Sequence, residues 1–167
     1  MPTLFTKIKS SVGPLLLAAD QSGLRQIRFA EGKHPATSDP ARIDPAWIED
    51  ADFFAETVRQ LRAYFAGDLE TFDISLAPQG TEFQLKVWKF LCDIPYGETI
   101  SYGELARRIA NPKASRAVGL ANGSNPIPII IPCHRVIGSN GKLTGYGGGL
   151  PIKEKLLALE RRQSRLL

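Results

Sequence analysis

From Asn125 to Pro132 the chain reads Asn-Pro-Ile-Pro-Ile-Ile-Ile-Pro, and this stretch constrains the fold more than any other. Proline fixes φ and has no backbone N–H, so the stretch cannot run through a helix interior or a central strand. The result is a stiff, apolar approach, and it delivers Cys133 and His134, one of two cysteines and one of two histidines in the chain. A glycine-rich run follows, Gly138-Ser139-Asn140-Gly141 and then Gly145-Tyr146-Gly147-Gly148-Gly149. A thiol between rigid backbone and a loop without bulk is placed to meet something. Two readings compete. Cys133 is a small buried hydrophobe, or it is a nucleophile activated by a neighbouring base. The dipeptide alone does not choose.

The 167 residues fit one large domain or two small ones. No apolar run approaches the ~20 residues of a membrane span. The run Leu15-Leu16-Leu17 is too short for a signal peptide and lacks a small-residue cleavage site. The reading is therefore a cytoplasmic protein with reduced thiols and no membrane association. Metal binding is not expected, because His34 and His134 are far apart and no Cys-x-x-Cys spacing occurs. Charge is divided unevenly. Residues 1–78 carry eight Lys and Arg against eleven Asp and Glu, a net of −3, while residues 79–167 carry thirteen against six, a net of +7. A basic second half points to a polyanionic partner.

In chain order, residues 14–19 and 24–29 read as strands around a turn at Asp20-Gln21-Ser22-Gly23. A polar loop with His34 follows, to residue 46. Helical spacing then runs from Trp47 to Ala66, with Asp44 as N-cap and Pro45 at the first position. Residues 71–76 alternate like a strand. Pro78-Gln79-Gly80 is the expected linker, dividing an α/β unit, 1–78, from a mainly helical unit, 79–167. In the second unit Thr81 opens a capping box with Gln84, and Ser101 opens another with Glu104. Cys92, near the end of the first helix, reads as a semi-buried structural residue. Asn111-Pro112 starts a helix from Lys113 to Asn122, with Asn111 as its cap. Helix, tight turn, helix is a helix-turn-helix signature, whose second helix enters a DNA groove. That helix is mostly small residues, with Arg116 projecting. A final helix spans Pro151 to Arg162 and carries Glu160 near its end, unfavourable to the helix dipole without a partner.

Residues 81–160 resemble the C-terminal domain of the O6-alkylguanine-DNA alkyltransferases. The resemblance rests on Pro132-Cys133-His134-Arg135-Val136, Ser101-Tyr102, Asn111-Pro112-Lys113-Ala114-x-Arg116-Ala117-Val118-Gly119, Asn125-Pro126, Tyr146 with its glycines, and Lys153-Glu154 with Glu160. It implies a winged helix-turn-helix-like domain preceded by a ribonuclease-H-like α/β domain. The implied activity is direct reversal of DNA damage. An alkyl group passes from guanine O6, with O4-alkylthymine a second candidate substrate, to a cysteine, once per molecule and without a cofactor. The implied partner is double-stranded DNA, bound by a monomer.

By the same resemblance Cys133 is the alkyl acceptor, His134 takes its proton through a water, and Glu160 orients His134. Asn125 holds the turn. Tyr102 crowds the 3′ phosphate and protonates the leaving base, and Arg116 fills the gap left by the flipped base. Ser115, Ala117 and Arg135 fall among the implied DNA contacts; Tyr146, Gly147, Val136 and Asn122 fall in the implied pocket. The chain departs from the family in two places. Position 147 is glycine, where some members have a serine that can donate to the guanine oxygen. Zinc ligands found in some N-terminal domains have no counterpart, since no cysteine and only His34 precede residue 79. Two alternatives remain at this point: a non-catalytic binder of alkylated DNA, which in the family carries tryptophan in place of the cysteine, and a plain helix-turn-helix regulator, which has no use for Cys, His and Glu together. A cysteine hydrolase is a weaker third, with no oxyanion-hole motif evident.

Overall fold

The structure, a computed structural model, describes residues 1–29, 43–138, 140–141 and 149–166, the last four by backbone only. An N-terminal sheet domain is followed by a C-terminal helical domain. The sheet has strand order β3-β2-β1-β4, with β1 Leu4–Ile8, β2 Leu15–Asp20, β3 Gly23–Phe29 and β4 Ile48–Glu49. The central pairs are antiparallel, Leu4 opposite Ala19 and Leu15 opposite Phe29, and β4 runs parallel to β1. Leu15 to Ala19 are all buried, because both faces of β2 are covered. Leu15, Leu17 and Ala19 face the main core, while Leu16 and Ala18 join Phe5 in a smaller cluster closed by Ile43 and Trp47.

The structure departs from the sequence expectations at several places. β1 was not anticipated, since Lys7 and Lys9 obscure its pattern. The helix expected from Trp47 begins later, as a 3-10 turn at Asp52–Phe54 and then α1, Ala55–Phe65. Asp44 folds its carboxylate back to the Ala46 amide in a local turn, and it is Asp50 that receives the Phe53 N–H at the helix entrance. Residues 71–76 alternate in exposure but, among the described residues, form one bridge, Leu24 to Leu76. Gln60 takes up the Asp73 amide and carbonyl through its side chain and leads the segment past β3. Gly23 permits the approach: at φ +138°, a Cβ there would lie 2.6 Å from the Ser75 carbonyl oxygen.

In the helical domain, α2 (Glu82–Leu91) starts with the full capping box, Thr81 and Gln84 each receiving the other's amide. Trp88 of α2 donates its indole N–H to the Ala121 carbonyl, 2.8 Å away. Cys92, just past this helix, is exposed and not semi-buried. A two-residue strand, β5 (Ile100–Ser101), leads into α3 (Tyr102–Arg108). Only half of the second capping box forms: Ser101 accepts the Glu104 amide, but the Glu104 carboxylate pairs with Arg107 and Arg108. α3 ends with Ala110 in the left-handed region at φ 64°, its amide bonded to Arg107 and the Asn111 amide to Ala106. Asn111 makes no side-chain cap; a 3-10 turn at Pro112–Ala114 precedes α4, Ser115–Gly123. After the proline segment come β6 (Val136–Ile137), parallel to β5, and α5 (Leu150–Leu166). The domains meet through backbone as well: the Ile27 amide of β3 donates to the Pro126 carbonyl at 2.9 Å.

Candidate active site

The proline segment is folded onto Asn125 at the exit of α4. The Asn125 carbonyl oxygen of the side chain accepts the Ile127 amide at 3.0 Å, and its Nδ2 donates to the Ile131 carbonyl at 2.8 Å. One buried side chain thus brackets a loop whose two internal prolines cannot donate. Ile129 lies in the left-handed region at φ 75°, a strained conformation for a β-branched residue, held by burial of the isoleucines on either side. Pro132 then takes φ −80° and ψ 63° while the Cys133 amide reaches back to Ile131 at 2.8 Å, an inverse γ-turn. Cys133, His134 and Arg135 form a single 3-10 turn. The thiol is buried, with 4% of Cys133 exposed.

Four residues from three parts of the chain converge on Glu160 of α5. Its Oε2 receives the Tyr64 hydroxyl at 2.6 Å, His134 Nε2 at 2.6 Å and Arg135 Nη2 at 3.1 Å. Its Oε1 receives Arg135 Nε at 2.8 Å and the Gly97 amide at 3.2 Å. Burial alone would raise the Glu160 carboxyl, but the bonds and charges of His134 and Arg135 outweigh it and hold it at about 2. Burial lowers His134 against the pull of Glu160. A neutral imidazole bonded through Nε2 to an ionised carboxylate carries its proton on Nε2, which leaves Nδ1 as the acceptor. Nδ1 is buried and has no hydrogen-bond partner among the described residues. Lys153, two turns before Glu160 on the same face of α5, is buried and donates to the Val136 carbonyl at 2.7 Å. Burial pushes the Cys133 thiol up to about 11, opposed by Asn125 hydrogen bonding and the Lys153 charge, which favour the thiolate. A thiol so placed needs a base at hand.

The pairing of β5 with β6, Ile100 with Val136 and Ser101 with Ile137, sets the start of α3 beside the Cys-His-Arg turn. Tyr102 is therefore the first helical residue next to the site, and its ring packs over Gly119 of α4, whose added Cβ would meet it at 3.7 Å. α4 exposes Arg116, Ala117 and Leu120, with Ser115 half-buried beside them. Leu120, at 72%, is the most exposed of the large hydrophobic residues described.

Residues 82–162 match the DNA binding domain of 6-O-methylguanine DNA methyltransferase, and residues 3–78 match that family's ribonuclease-like domain. A methylated-DNA–protein-cysteine methyltransferase of Methanosarcina mazei is 61% identical over 153 residues, 92% of this chain and 94% of its own. This chain belongs to the 6-O-methylguanine DNA methyltransferase family. The crystal structure of the Mycobacterium tuberculosis O6-methylguanine methyltransferase superposes with a TM-score of 0.86 at 52% identity, covering 96% of this chain and 94% of that one. A structure of Mycobacterium tuberculosis OGT in complex with DNA gives a TM-score of 0.87 at 51% identity, with the same coverage.

Within this methyltransferase the structure gathers Cys133, His134, Glu160 and Asn125, and puts Tyr102 and Arg116 on the α3–α4 side. It corrects one residue. Arg135, expected at the DNA, is 7% exposed and turned inward to Glu160 and the Ile94 carbonyl, 2.7 Å away. Its guanidinium is buried on a carboxylate and a carbonyl, away from the surface where a phosphate would meet it. Val136 and Asn122 are buried, and Asn122 Nδ2 lies 3.4 Å from the Cys133 carbonyl. Tyr146, Gly147 and His34 lie outside the described residues. Tyr64 and the placement of Lys153 escaped the sequence reading. Lys153 left a signal, a cation on the apolar stripe of the last helix. The phenol of Tyr64 left none that names its partner.

Proposed function

We propose that the protein repairs alkylated DNA by moving the alkyl group from guanine O6 in duplex DNA to Cys133, irreversibly and once per molecule. The observation that carries this is the buried Cys133–His134–Glu160 arrangement, with the imidazole anchored through Nε2 and Nδ1 left to accept a proton. Glu160 keeps the Nε2–H tautomer; His134 Nδ1 takes the thiol proton through a water; the sulfur attacks the alkyl carbon and the C–O6 bond breaks. Tyr102 returns a proton to the leaving base, so guanine departs neutral and a thioether remains. That thioether has no good leaving group, so the protein is consumed. Asn125 fixes the turn that carries the thiol.

The target base is unreachable inside the stack, so it is flipped out. α4 enters the groove, its small Ser115 and Ala117 permit close approach, and Arg116 fills the gap. The family resemblance assigns Val136, Asn122, Tyr146 and Gly147 to the pocket, and the absence of a side chain at 147 favours larger alkyl groups. We assign a ribonuclease-H-like fold to residues 1–78 and a winged helix-turn-helix-like fold to residues 79–167. The protein acts as a cytoplasmic monomer, and O4-alkylthymine is a second substrate. The test is duplex DNA with a labelled O6-methyl group and a stoichiometric amount of protein. Label passes to Cys133, one per molecule, and Cys133→Ala abolishes transfer while still binding DNA. Label that stays on the DNA in a stable complex refutes the reading.

A further inference from the structure

We infer that Tyr64, on α1 of the N-terminal domain, is a positioning residue for the alkyl transfer: its hydroxyl fixes the Glu160 oxygen that orients His134. The inference rests on the alkyl-transfer reading above. Tyr64 is fully buried, and its hydroxyl lies 2.6 Å from Oε2, the same oxygen that holds His134 Nε2 at 2.6 Å. The ring is clamped by Phe65 and Phe72, each with its centroid 5.4 Å away, and edge-on by Tyr96 at 6.2 Å. A buried phenol needs an acceptor, and a backbone carbonyl would serve a purely structural role. Here the acceptor is the charged carboxylate, so the phenol draws charge from the atom that stabilises a protonated His134.

Around Glu160 the charged and titratable groups are Tyr64 from α1, Tyr96 from the loop after α2, and His134 and Arg135 from the active turn, with Lys153 acting on His134 from α5 itself. Arg135 and the Gly97 amide neutralise Oε1, and Arg135 also reaches Oε2. Tyr64 is thus a donor to Oε2 whose loss leaves that oxygen more basic without unpairing Arg135. A more basic Oε2 holds the imidazolium more tightly, so His134 becomes available as a base only at higher pH. The N-terminal domain thereby sets the pH at which the thiol can be deprotonated.

The experiment is Tyr64→Phe in the full chain, with single-turnover transfer from free O6-benzylguanine and from an O6-methylguanine duplex measured across pH. The acid limb is expected to move up by about one pH unit for both substrates, since a bond to a charged group is lost. Rates on the plateau change less than about twofold, and duplex affinity is unchanged, Tyr64 being fully buried. A fluorinated tyrosine at 64, a stronger donor of nearly the same shape, moves the limb down, and it carries the test if the phenylalanine variant does not fold. A uniform fall at all pH values, or a limb that stays in place in both variants, overturns the inference. Titration of ¹⁵N-labelled His134 gives an activity-free readout with the same directions. If wild-type protein transfers nothing to Cys133, the functional reading fails by itself, and the imidazole titration still decides the role of Tyr64.

Discussion

Removing Arg135 tests whether the active turn is held from within or from the DNA side. Arg135→Ala deletes the two bonds to Glu160, at 2.8 and 3.1 Å, the bond to the Ile94 carbonyl at 2.7 Å, and the guanidinium 5.7 Å from the Tyr96 ring centre. Breaking a buried ion pair from one side costs about 3–5 kcal/mol. Glu160 keeps Tyr64, His134 and the Gly97 amide, which places the expected loss at the lower end, about 3 kcal/mol. In a chain of this length each kcal/mol lowers Tm by about 2–4 °C, so the melting point falls by about 10 °C. Arg135→Lys keeps the charge but not the planar fork, and falls between. Thermal and urea unfolding, followed by fluorescence of the buried Trp88, measure the loss. Duplex binding is measured in parallel as a function of salt. Its slope stays unchanged, because the Arg135 guanidinium is buried against Glu160 and Ile94. A melting point within about 2 °C of wild type, together with a salt slope reduced by ~0.9, would show that Arg135 belongs to the DNA surface and refute the internal role.

Glu160 sits near pKa 2 in the folded protein, below its ordinary 4.5. Its contribution is fully present above about pH 4.5 and is lost as pH falls toward about 2, on the order of 3 kcal/mol. Urea midpoints measured down that range should drop, and drop less in Arg135→Ala; parallel curves would contradict the assignment. Ala110 occupies a left-handed position that glycine prefers, so Ala110→Gly stabilises the protein by about 1 kcal/mol in urea denaturation. Arg116→Ala, at an exposed position, leaves stability within about 0.5 kcal/mol. It slows repair in duplex on the order of tenfold, where a base must be flipped, and leaves attack on free O6-benzylguanine unaffected. Equal slowing of both removes Arg116 from the flipping role.

Most of what the sequence made legible was local. The capping box at Thr81 and the strands around Asp20–Gly23 depend on neighbours a few residues apart, and they formed much as read. The errors came where a distant partner decided the outcome. Residues 71–76 have strand alternation, but Gln60 and the edge of β3 take their backbone groups in an irregular way. Asp44 had cap chemistry and used it on a local turn. At the site, Cys133, His134 and Glu160 were joined only by the family resemblance, whereas Arg135 could not be sorted from a surface cation. Only the fold shows that its partner lies 25 positions on and that Tyr64 reaches the same carboxylate from 96 positions away.

The bond from Ile27 to Pro126 bears on aggregation as well as on the site. β3 is an edge strand of the sheet, and an uncovered edge is a template for pairing with another chain. Its Leu24 amide is taken by Ser75 and its Ile27 amide by Pro126, so the segment that carries the reactive cysteine also shields the sheet. Proline suits that duty: at 126 it offers an acceptor but no amide of its own with which to extend the ladder. Any disturbance that lifts the active-site segment away from the N-terminal domain would therefore bare part of a strand edge and open a route to intermolecular β-pairing.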